Sequence, residues 1–173
     1  MASATWRVYL YVGTNVVIGS GSTFGRLAYG RYIPATLAVD ATGLTFTPTA
    51  YGQVLGFIGT VVPWSAVVAV RGHGVDAARQ LASNNALRSQ TAVTLTLARA
   101  FAQQHAAPVG ANERNRAAGW LMVYQGMSSD EIKAREAAQA AGTIDWDVGF
   151  NCMGRGDALL GAIDRWAPGK ITS

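Results

Sequence analysis

What the sequence has little of narrows it first. Charged residues make up only 14% of the 173 positions, well below the usual quarter, while half of the chain is hydrophobic. That balance excludes a disordered polyelectrolyte. A single cysteine, Cys152, excludes an internal disulfide framework and a cysteine-only zinc site. The two histidines, His73 and His105, match no metal spacing such as a pair one turn apart on a helix, so no metal and no cofactor is expected. Acids are missing from residues 1–39 altogether. Between Ala41 and Val70 there is no Asp, Glu, Lys, Arg or His, so this stretch must be covered by protein or by something apolar.

The remaining charges are unevenly shared. Seven arginines against two aspartates give residues 1–107 a charge of +5, and residues 108–173 carry −1. A basic first part admits an anionic partner, in lipid or nucleic acid, and Arg7, Arg26, Arg31 and Arg71 are the candidate anion-binding residues. They are scattered, so the plainer reading is preferred, in which they keep a hydrophobic sheet soluble. Residues 1–5 lack a basic start and Arg7 interrupts the first apolar run, so no secretory signal is evident and a cytoplasmic location is expected.

What is present in the first part is β-forming. Residues 6–12 combine aromatic and β-branched types, and residues 15–19 could pair back on them. Leu44 and Phe46 alternate with Thr45 and Thr47 after the turn residues Asp40 and Gly43, which predicts a hairpin with 36–39. Pro63 separates two strands in the valine-rich run 54–70, which is also a little short for a membrane-spanning helix. Residues 27–33 suit a further strand, and 75–82 a helix. Threonine alternation in 91–97 favours a strand over a helix.

From Asn112 the pattern turns helical. Ala117, Trp120, Leu121 and Tyr124 share one face of a helix over 112–125. Ser128 and Glu131 form the sequence of a capping box for a second helix to about Ala141. A third, over 157–166, puts Leu159, Ala162, Ile163 and Trp166 together. The segment 112–141 is similar to a helix-turn-helix, but its second half balances three acids against two bases, which favours a packing role over a place in a DNA groove.

Catalytic constellations fare less well. Gly19, Gly21 and Gly25 have the wrong spacing for a dinucleotide fingerprint, and no Gly-Lys-Ser/Thr follows. Cys152 is expected in a loop leading into a helix, yet position 158, where a phosphatase loop needs arginine, is Ala. Asp145 and Asp147 would point the same way on a strand and could form an acid pair, but two acids on a solvated turn are the commoner arrangement.

Residues 36–39, Gly43-Leu44-Thr45-Phe46 and the Pro63-Trp64 step before 65–70 together resemble the meander of bacterial pleckstrin-homology-like and GRAM-like domains. The likeness covers about residues 35–71 and departs at the apolar run 54–60 and in lacking a basic cluster in the first hairpin loop. It implies a curved antiparallel sheet capped by a helix, here 112–125, and binding without catalysis. The expectation is therefore an α+β protein: an N-terminal antiparallel sheet, as a partly open barrel or meander, packed by C-terminal helices, with residues 1–107 mainly β and 108–173 helical. Its expected role is a non-enzymatic interaction module for a protein partner or a second copy. A self-assembling structural protein and a DNA-binding regulator are the alternatives.

Overall fold

The hairpin predicted around Asp40 is where the sheet begins to be fixed. In the computed structural model, which describes residues 4–12, 16–18, 31–54, 59–73, 90–108 and 128–172, β3 (Arg31–Asp40) turns into β4 (Gly43–Pro48) with Asp40 opposite Gly43. Asp40 Oδ1 accepts from the Thr42 backbone N–H at 2.8 Å and from the Thr42 hydroxyl at 2.5 Å. The Thr42 hydroxyl first, then its N–H, holds the Asp40 carboxyl below its ordinary value. Gly43 has φ +146°, and a Cβ there would strike the Val62 carbonyl, so only glycine lets the next strand come so close.

Around this hairpin the described residues form an eight-stranded mixed sheet that does not close on itself. Besides β3 and β4 it contains β1 (Ala4–Val12), β5 (Thr60–Pro63), β6 (Val67–His73), β7 (Gln90–Leu97), β9 (Trp146–Met153) and β10 (Ile171–Thr172). The order is β10-β6-β7-β9-β1-β3-β4-β5, antiparallel except where β10 runs parallel to β6. Of the expected strand over 15–19, the described part, 16–18, has no pairing with β1. Instead β2 (Val16–Ile18) pairs with β8 (Ala106–Pro108) in a separate ribbon. The helices are α1 (Ala50–Val54), α2 (Arg99–His105), α3 (Ser129–Ala140) and α4 (Gly156–Trp166). The α+β class is as expected, but the sheet is not purely antiparallel and not built from the first part alone: β9 lies at its centre.

The sheet is strongly curled. β5 and β6 are six places apart in the strand order, about 29 Å on a flat sheet at the usual strand spacing. Only Trp64–Ala66 joins them, a connection that could span at most about 14 Å if fully extended and is shorter as the 3-10 turn it forms. The two sides must bend toward one another, and the Trp64 indole N–H fastens the corner by donating to the Asp40 carbonyl at 2.9 Å.

The concave side is the core. Val8, Leu37, Leu44, Phe46, Val70, Val93, Leu95, Val148 and Phe150 are all buried there, with Leu159 and Ile163 of α4 laid against them. Burying each large side chain contributes about 1.5–3 kcal/mol. Ala162 and Trp166 pack from the same helix, as their spacing predicts. α4 comes so near the sheet that a Cβ on Gly156 would overlap Thr91. α3 opens with the predicted box: Glu131 N–H donates to Ser128 Oγ at 3.3 Å, and Ser128 N–H to Glu131 Oε2 at 2.6 Å. Among the described residues no helix is long and apolar enough to cross a membrane.

Candidate functional site

β9 carries the chemistry. Trp146, Val148, Phe150 and Cys152 alternate into the core, which leaves Asp147, Gly149 and Asn151 on the convex face. That face is covered here, since Ala92, Thr94, Asp147 and Asn151 are all buried. Asp147 thus lies on a central strand buried on both sides, and not on the expected solvated turn, while Asp145 stands half-buried just before that strand.

Asp147 is only 2% exposed and is surrounded by donors. Thr96, its cross-strand neighbour on β7, donates its hydroxyl to Oδ1 at 2.6 Å. Arg71 reaches over from β6 to Oδ2 at 3.4 Å, and Arg135 comes from α3 to the same oxygen. The guanidinium groups are part-exposed, at 42% for the Arg71 side chain and 27% for that of Arg135. Two cations on one carboxylate leave the group with a net positive charge. Gln139, one turn after Arg135, is buried on the same helix. The Nε–H of Arg71 and of Arg135 and the Oδ1 of Asn151 are buried without a hydrogen-bond partner.

The other expected site residues are not brought together with this group. Arg71 belongs to it, held by a carboxylate. Arg7 stands exposed on β1, three strands from β6, about 14 Å away at the usual spacing. Arg31 opens β3 opposite Val12, and Arg26 lies outside the described residues. Asp145 serves a different partner from Asp147, accepting from the Arg99 N–H at 3.1 Å at the start of α2. Cys152 lies within β9 and not in a loop. It is buried, donates to the Gly154 carbonyl at 3.3 Å, and burial pushes its thiol up to about 11. Such a thiol is a poor nucleophile at neutral pH.

Among the described residues no group of three or more His, Cys, Asp or Glu is placed to hold a metal. The segments 19–26, 75–82 and 112–125, with the first half of the helix-turn-helix pattern, lie outside the described residues. Sequence reasoning missed Arg135 and Asn151. The Trp-Asp-Val-Gly-Phe-Asn-Cys alternation carries the signal for Asn151, because it puts every second residue from Asp147 on one face. No protein-family model, no curated protein and no solved structure matches the chain.

Proposed function

We propose that the protein is a non-catalytic interaction module that meets a protein partner on the convex face of β1, β3, β4 and β5. The observation that carries this reading is the contrast between the two halves of that face. β7 and β9 are covered, whereas Arg7, Thr36 and Thr47 form an exposed row and Val61 stands 51% exposed beside Thr45. A guanidinium among hydroxyls, with a valine and no acid in these rows, suits a partner surface carrying a carboxylate and a small apolar group. The groups a catalytic reading would use, Asp147 and Cys152, are engaged in holding the sheet. The frame of the module is the curled, open sheet, and the free Cys152 accords with a reducing, cytoplasmic setting.

A second copy of the chain is the other candidate partner, favoured by exposed Tyr51, Val54, Val61 and Val68. Sedimentation velocity across a concentration series, beside co-purification from the native host, tests both readings with an Arg7→Glu/Val61→Asp double variant. Association present in the native protein and lost in this variant supports the module, either with itself or with the co-purified protein. Association absent, or unchanged in the variant, overturns it.

A further inference from the structure

The two cations on Asp147 come from supports of unequal strength. Arg71 is a residue of β6, fixed in the sheet by its register with Thr94 of β7. Arg135 belongs to α3, and among the described residues no α3 side chain joins the hydrophobic core or packs against it. Gln139, the helix's buried side chain among those described, is polar. The ends of α3 are completed by its own neighbours and borrow nothing from the sheet. Ser128 and Glu131 cap the start, and at the other end the Thr143 N–H and hydroxyl both donate to the Ala138 carbonyl at 3.0 Å. Lifting the helix off the sheet takes none of these hydrogen bonds away. Its foot is anchored separately: Arg99 donates from its guanidinium to the Thr143 carbonyl and from its backbone N–H to Asp145 Oδ1, each at 3.1 Å.

At Asp147 one cation can leave and the other cannot. With Arg135 withdrawn, the carboxylate keeps Arg71 at 3.4 Å and the Thr96 hydroxyl at 2.6 Å, so it is not left buried without a counter-charge. The closed arrangement leaves the buried Nε–H of Arg135 without a hydrogen-bond partner, and water supplies one once the helix lifts.

We infer that α3 is a detachable strap on the convex side of β9, closed by the Arg135–Asp147 ion pair and pivoting on the Arg99 anchor while the sheet beneath stays folded. Arg71 is the fixed counter-charge that allows the strap to open. Closed, α3 sets Arg135 over Asp147. Open, it adds that part of β9 to the neighbouring exposed face of β1, β3, β4 and β5. Anything that reaches for Asp147 must first displace α3, so the ion pair is an autoinhibitory contact. The strap is a property of the chain itself and does not depend on a partner at the exposed half of the sheet.

Native-state amide hydrogen exchange of the full chain, followed by NMR across a series of low urea concentrations, tests this. A twelve-residue helix off its support is marginal, so the α3 amides exchange whenever the strap lifts. They are expected to exchange through one shared opening that urea barely promotes, whereas the amides of β7 and β9 wait for global unfolding. Arg135→Gln should raise the ratio of α3 to β9 exchange rates about tenfold or more. Arg71→Gln should lower that ratio, because lifting α3 then leaves Asp147 buried without a cation. Lys133→Gln, which removes an exposed pair with Asp130 on the same helix, should leave it unchanged. A helix that is only one more packed piece of the structure would respond alike to the loss of either arginine. Circular dichroism identifies any variant that fails to fold, and the native protein's urea dependence then decides alone. The proposal is overturned if α3 and β9 exchange in one cooperative step, if α3 exchange is graded from the helix ends inward, or if the two arginine variants do not move the ratio in opposite directions.

Discussion

Phe46 on β4 and Phe150 on β9 meet edge to face, with ring centroids 5.5 Å apart and planes inclined at 75°, although their strands lie three places apart in the sheet. On a flat sheet those strands would be separated by about 14 Å. The contact is a direct consequence of the curl, and both rings are fully buried. Phe150→Ala therefore removes a ring that joins the two sides of the concave core. It should cost about 3–5 kcal/mol in chemical denaturation.

The close seat of α4 on the sheet gives a second expectation. A methyl group at Gly156 has no room against Thr91, so Gly156→Ala should destabilise by about 1–3 kcal/mol. Gly161, in the same helix, faces open space. There Gly161→Ala should stabilise by about 0.5–1 kcal/mol through helix propensity. Thermal unfolding of the pair separates the two effects.

Charge removal around Asp147 should be asymmetric. Asp147→Asn leaves two part-exposed arginines, which can turn toward water. Arg71→Gln with Arg135→Gln leaves a buried carboxylate with the Thr96 hydroxyl and, among the described residues, no cation beside it. The double variant should therefore be the less stable of the two, with a loss of about 3 kcal/mol or more. Urea denaturation of both variants at neutral pH checks the order.

Cys152 supplies a pH dependence whose sign is fixed by burial. Its thiol is raised from 9.0 to about 11 in the folded chain, so the unfolded chain loses its proton first as pH rises. The contribution is complete below pH 9 and is lost as pH climbs toward about 11. Native protein should thus lose stability across that window relative to Cys152→Ala. Its thiol should also react slowly with aromatic disulfide reagents at pH 8 until the chain is unfolded.

Local features were readable from the sequence where they rest on neighbouring residues. The Asp40 turn, the break at Pro63, the threonine alternation of β7, the Ser128–Glu131 cap and the apolar face of α4 each depend on a few adjacent side chains. The place of β9 rests on pairing with β1 and β7, which lie far away in the chain. Its period-two pattern is in the sequence, but Asp145 and Asp147 also suit a solvated turn, and the residues around Cys152 a loop leading into a helix. The Asp147 group was hidden for the same reason. Its members come from β6, β7, β9 and α3, and no local spacing links Arg71 to Arg135.

β9 between β1 and β7 also bears on how the chain is made. As residues leave the ribosome, β1, β3, β4 and β5 can pair early, and β6 with β7 soon after, yet these two blocks have no common strand until residue 153 has emerged. Until then each block shows an open edge and an apolar face to the surrounding proteins, the condition under which nascent β-rich chains aggregate or recruit chaperones. The two blocks are joined by the insertion of a single strand, which closes both edges at once, before α4 and β10 are laid on.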